Sequence, residues 1–144
     1  MSAPGNVELK ELADYLAERL RLGYSADTLK IAWDDVLVAA GTTEEVDVLE
    51  PPEGKKYVVR GMFVHFGSSA ADSFVYARVQ DTATGYWRPI DSSTPREFDG
   101  VSICWLNWHG FLILEPGKVL RLVAKNAGTG DVYLRYCICY EEVS

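Results

Sequence analysis

The stretch Lys56-Tyr57-Val58-Val59-Arg60-Gly61-Met62-Phe63-Val64-His65-Phe66 decides the fold class. Its residues alternate without the three- and four-residue recurrence of a helix, so it reads as a β-strand. Tyr57, Val59, Gly61, Phe63 and His65 fall on one face, and Val58, Arg60, Met62, Val64 and Phe66 on the other. Apolar groups on both faces predict a central strand covered on each side.

The β character extends in both directions. Upstream, Val46 and Val48 alternate with polar partners until Pro51-Pro52-Glu53-Gly54 breaks the strand. Residues 25–41 fit either a helical face or a short apolar strand. A strand at about 34–40 is expected, because everything after it is β in character. Downstream, Ser73 to Gln80 predicts a strand, and Asp81-Thr82-Ala83-Thr84-Gly85 a hairpin loop into Tyr86-Trp87-Arg88. Asp91 to Gly100 reads as a long polar loop. Val101 to Leu106 and Phe111 to Leu114 read as short strands around a turn at Asn107-Trp108-His109-Gly110. Val119 to Lys125 and Val132 to Tyr140 close the chain. Eight to nine strands at this spacing fit an antiparallel β-sandwich or jelly roll, not a parallel α/β fold.

Two strand entries share one construction. Pro52-Glu53-Gly54-Lys55 precedes one, and Glu115-Pro116-Gly117-Lys118 another. In the second, proline presets φ and the following glycine supplies positive φ, the chemistry of a type II turn. Such a pair suits the two halves of a sandwich.

The N-terminal segment has a different period. Asn6 can cap a helix, Leu9, Leu12, Leu16 and Leu20 recur at helical spacing, and Gly23 can end it. A short helix with one apolar stripe must dock on something to persist. The chain therefore divides into a helical arm over 1–32 and a β-domain over 33–144.

Charge bounds the partners. The 144 residues hold 14 Lys and Arg against 21 Asp and Glu, a net charge of −7. Duplex nucleic acid needs a basic footprint, so no nucleic-acid partner is expected. No apolar run approaches the ~20 residues that span a bilayer, and no membrane partner is expected. The Met1-Ser2-Ala3-Pro4 start lacks the basic and apolar regions of a signal peptide. Cys104, Cys137 and Cys139 are odd in number and read as small buried apolar residues, suiting a reducing cytoplasm.

No catalytic constellation emerges. There is no GxSxG, no glycine-rich phosphate loop and no HExxH. A hydrolytic site would need His109 to converge with a carboxylate and Ser102 or Cys104. A zinc site would want four N/S ligands at defined spacing, which the cysteines and histidines do not offer. Neither an enzyme, a metal nor a cofactor is expected. The tryptophans carry the other signal. Trp33 and Trp105 lie in apolar segments and are expected in the core. Trp87 with Arg88, and Trp108 with His109, are expected to be exposed, where indoles could stack on sugar rings.

The run from Val36 through Gly41-Thr42-Thr43, Leu49-Glu50-Pro51-Pro52-Glu53-Gly54-Lys55 and Arg60 resembles small β-sandwich virion proteins of tailed bacteriophages. So does the ending, Leu114-Glu115-Pro116-Gly117-Lys118 followed by Tyr133-Leu134-Arg135-Tyr136-Cys137-Ile138-Cys139-Tyr140-Glu141-Glu142. The resemblance is to head-decoration or cement proteins. It implies a jelly roll with an N-terminal arm, bound outside the capsid, commonly as a homotrimer, and reinforcing contacts between major capsid subunits. It also implies assembly in the host cytoplasm. Leu9, Leu12, Leu16 and Leu20 would then grip the capsid or a neighbouring subunit. A carbohydrate- or receptor-binding module using Trp87, Arg88, Trp108 and His109 is the alternative.

Overall fold

A computed structural model describes residues 29–143. Nine strands are present and, among the described residues, no helix: β1 Leu29–Val38, β2 Thr43–Leu49, β3 Lys56–Phe66, β4 Phe74–Asp81, β5 Trp87–Ser93, β6 Arg96–Phe98, β7 Val101–Leu114, β8 Lys118–Lys125 and β9 Val132–Val143. They form two antiparallel sheets. The broad sheet has five strands in the order β1-β9-β3-β7-β6, and the narrow sheet four in the order β2-β8-β4-β5. The chain crosses from sheet to sheet at most connections and turns back within a sheet only at β4–β5 and β6–β7. This is the winding of a double-sheet jelly roll.

The expected mainly β sandwich is therefore present. The proposed arm over 1–32 meets a different boundary, because β1 already starts at Leu29 and pairs with Glu141. Residues 29–32 belong to the broad sheet. The arm leucines Leu9, Leu12, Leu16 and Leu20 lie outside the described residues.

Between the sheets sits one apolar layer. Val59, Val64 and Phe66 of β3, Leu106 and Leu114 of β7, and Leu134 and Ile138 of β9 meet Val75 and Ala77 of β4 and Leu120, Leu122 and Ala124 of β8. Both turns share the construction read from the sequence. Lys55 N–H donates to the Pro52 carbonyl at 3.1 Å, and Lys118 N–H to the Glu115 carbonyl at 3.0 Å. Gly54 and Gly117 occupy positive φ, 81° and 89°. One turn leads into the broad sheet and the other into the narrow one.

Three readings need correction. The faces of β3 switch midway, because Arg60 is an extra residue against β9 and a bulge also interrupts the β3–β7 register there. Tyr57 and Val59 point inward before the bulge, Met62, Val64 and Phe66 after it. The expected turn at 107–110 is strand: β7 continues through it, and the bulge against Arg60 falls at Gly110 and Phe111. The expected loop from Asp91 to Gly100 contains the end of β5 and all of β6. Pro89 is tolerated in β5 because that strand is an edge of the narrow sheet.

A buried polar cluster ties one end of the sandwich together. Asn126, only 1% exposed, donates through Nδ2 to the carbonyls of Val38 at 3.1 Å and Gly130 at 2.8 Å. Its Oδ1 accepts from Gly128 N–H at 2.9 Å and the Ser68 hydroxyl at 3.4 Å. Ser68 in turn bonds Ser73, whose Oγ accepts from Ala127 N–H at 3.0 Å.

Candidate functional site

The two outward faces of the sandwich differ in kind. On the narrow sheet Glu45, Asp47, Arg78 and Arg121 form a paired cluster within the chain. Arg121 reaches Asp47 at 2.6 Å and Glu45 at 3.5 Å, and donates to Gln80 at 2.9 Å. The Asp47 hydrogen bond raises the Arg121 pKa above its ordinary value. Arg78 reaches Glu45 at 3.2 Å, donates to the Tyr76 hydroxyl at 3.1 Å, and lies over the Trp87 ring at 5.0 Å. Its buried Nε has no hydrogen-bond partner among the described residues.

The broad sheet presents apolar rows. Directly opposed residues on neighbouring strands share a face. One row runs Ile31, Cys139, Gly61, His109; the next Trp33, Cys137, Phe63, Asn107; the next Asp35, Arg135, His65, Trp105; Leu37 and Tyr133 follow. Phe98 of β6 closes the far side against Phe63, His65 and Trp105, with ring centroids 6.1, 6.0 and 5.5 Å away. Near the bulge, Arg60 lies over the Phe111 ring at 4.9 Å. Arg96 lies over Trp105 at 3.8 Å and donates to its carbonyl at 2.8 Å.

This face is open. Trp33 is 73% exposed, Phe111 63%, Tyr133 48% and Phe63 38%. At about 200 Å² per aromatic residue, these leave on the order of 450 Å² of ring-bearing surface in water. Ile31, Leu37 and Ile113 add to it, each roughly half exposed. A typical monomer's largest apolar patch is about 300–600 Å² and is often functional, and this face has the extent of such a site. At its centre lies a shallow depression of about 310 Å³ lined by Phe63, His65, Phe98, Arg135, Tyr136 and Cys137.

The thiols of Cys139, on this face, and Cys104, behind it, are not activated. Burial raises the Cys139 thiol above its ordinary value, with neighbouring Cys137 adding to the effect and Arg60 opposing it. A thiol so shifted is protonated at neutral pH and is a poor nucleophile. Cys104 is buried on the opposite side of β7, and burial pushes its thiol up to about 11. Cys104 and His109 thus occupy opposite faces of one strand and do not converge. No group of three or more His, Cys, Asp or Glu side chains suited to a metal ion occurs among the described residues.

The tryptophans are placed differently from their sequence reading. Trp33, expected in the core, is the most exposed of them, because β1 is an edge strand and Trp33 faces outward. Trp105 is half-buried on the outer face, its indole N–H donating to the Glu97 carbonyl at 3.2 Å. Trp108, expected outside, packs against the core. Trp87 and Arg88 are exposed on β5 of the narrow sheet, whereas His109 is exposed on the outer face of the broad sheet. Trp87, Arg88, Trp108 and His109 are not brought together. Cys137, expected to be buried, is exposed on the open face. The signal for that face was present in β3, whose apolar residues on both sides called for a second cover.

No protein-family model matches the chain, and no curated protein matches it. Among solved structures, a chain of the cyanophage Pam1 capsid asymmetric unit has a similar fold, with a TM-score of 0.52 and 18% identity over 78% of this chain and 84% of that one. That likeness is one of fold alone. A pentameric capsid protein from metagenomic phage sequences aligns over 98% of this chain and 79% of that one at 16% identity, but its TM-score of 0.46 is too low to argue from.

Proposed function

We propose that the chain is a structural protein of a virus particle, working by contact between subunits. In this reading it is a decoration or cement protein. It binds the capsid exterior as a homo-oligomer, a trimer by the family resemblance, and braces contacts between major capsid subunits. Assembly takes place in the host cytoplasm. The observation that carries the reading is the open apolar face of the broad sheet, an extent of surface that in a folded protein marks an interaction site. The fold shared with a chain of a cyanophage capsid supports it. The net charge of −7 also favours a place away from packaged nucleic acid. Leu9, Leu12, Leu16 and Leu20 supply the grip of the arm.

The test is addition of the purified full chain to particles assembled without it. Saturable binding is expected, together with a higher temperature of particle disruption. Leu12→Lys combined with Leu16→Lys should weaken that binding without unfolding the sandwich. Particles that take up none of the wild-type chain would refute the reading.

A further inference from the structure

We infer that the outer face of the broad sheet, centred on Trp33 and Phe63, is the contact between copies of this chain. The inference rests on the reading of the chain as an assembly subunit and specifies which surface assembles.

Size separates the candidate occupants. From Ile31 to Leu37 along β1 the face is about 20 Å long, and its strands make it about 20 Å wide. A single helix is about 10–12 Å across with its side chains. The chain's own segment before Leu29 could therefore cover only about half of the face as a helix. A second copy covers all of it. The exposed aromatic and aliphatic area approaches the ~800 Å² per partner of a standard stable interface.

Charge points the same way. The chain carries −7 overall, yet this face holds Arg60, Arg96 and Arg135 against two carboxylates in its rows, Asp35, which lies 3.5 Å from Arg135, and Glu141, in the row of Ile113. The exposed carboxylates of Glu45 and Asp47 lie on the opposite sheet, and those of Glu50, Glu53 and Glu115 in the turns. Copies can approach through the broad sheet without desolvating that acidic surplus. The arginine–aromatic pairs Arg60–Phe111, Arg96–Trp105 and Arg135–Tyr133 are the side-chain types that concentrate at the energetic centres of interfaces. The depression between Phe63 and Phe98 offers a socket for an apolar side chain of the neighbour.

The experiment is sedimentation velocity on the full chain between 1 and 100 µM (about the range in which such interfaces report), with Trp33→Lys and Phe63→Lys as variants. The wild type should be oligomeric. Each variant should raise the dissociation constant at least about 30-fold, the size of one hot-spot loss, with an unchanged far-UV spectrum. Trp33 is 73% exposed, so its replacement leaves the fold intact. Tyr86→Lys, at a position 81% exposed on the β4–β5 hairpin, should leave the oligomer unchanged. A wild type that stays monomeric at the highest concentration overturns the inference, as does an oligomer that Trp33→Lys and Phe63→Lys leave intact. A monomer whose Trp33 fluorescence resists acrylamide also overturns it, since the chain's own segment would then be the cover. The two readings fail separately. A monomer that binds particles keeps the proposed function and rejects this interface. Self-association through this face without particle binding does the reverse.

Discussion

Replacing Asn126 by alanine should cost about 2–5 kcal/mol of stability, although the side chain is small and uncharged. The substitution removes two donated hydrogen bonds and the acceptor for Gly128 N–H and Ser68 Oγ. Val38 is fully buried, so its carbonyl is stranded at a cost of about 1–3 kcal/mol. Gly130 is exposed and Gly128 half-exposed, so water replaces part of what they lose, leaving about 0.5–1 kcal/mol each. At this chain length the total corresponds to a fall in Tm of roughly 10 °C. Urea unfolding at fixed protein concentration is the assay, since self-association adds its own stabilisation. The midpoint should fall with little change in m. Asn126→Asp sharpens the test. It retains an acceptor but turns negative oxygen toward the Val38 and Gly130 carbonyls, so it should be worse than alanine at pH 7. Its carboxyl would be harder to ionise in the folded state, so the folded state binds the proton more tightly and the variant should regain stability as pH falls. A loss below about 0.5 kcal/mol for Asn126→Ala, or an aspartate as good as asparagine at pH 7, would refute the reasoning.

The bulge in β7 gives a second prediction. A Cβ at Gly110 would lie 2.5 Å from Cζ2 of Trp108, whose indole packs against the core. Gly110→Ala should therefore cost about 1–3 kcal/mol and alter the near-UV tryptophan signal, and an unchanged spectrum and midpoint would count against the packing. Asp81 gives a pH prediction. The Lys118 ammonium, at 2.6 Å, and the N–H groups of Ala83 and Thr84 hold its carboxyl below the ordinary value. A carboxyl depressed in the folded state contributes stability that is complete above its ordinary value near ~4 and is lost as pH falls below it. The stability of Asp81→Asn should thus fall less steeply than that of the wild type as pH falls below about 4, and parallel urea-midpoint curves would remove Asp81 from the account.

Much of the fold was readable because alternation and turn chemistry are local. The β3 pattern and the twin glycine turns at Gly54 and Gly117 needed no knowledge of distant residues. What escaped depended on neighbours along the sheet. Arg60 shifts the faces of β3 because one extra residue changes the parity of everything after it, and composition carries no mark of that. Gly110 resembles a turn residue but is required because the Trp108 ring lies across it. The end of β5 reads as loop because an edge strand tolerates the polar run Asp91-Ser92-Ser93 after Pro89, which a central strand would exclude. The candidate surface escaped for a deeper reason. An apolar residue to be covered by its own chain and one to be covered by another look the same in sequence, which is why Trp33 reads as a core residue.

The contrast between the two outward faces gives the molecule opposite responses to salt on its two sides. The contacts joining Glu45, Asp47, Arg78 and Arg121 are partly solvated and weaken as mobile ions screen them. The broad sheet's rows around Trp33, Phe63 and Tyr133 gain in drive to leave water when sulfate or phosphate is excluded from the surface. A strongly salting-out buffer therefore loosens the narrow side's ionic lattice while pressing the broad side toward whatever apolar surface is at hand.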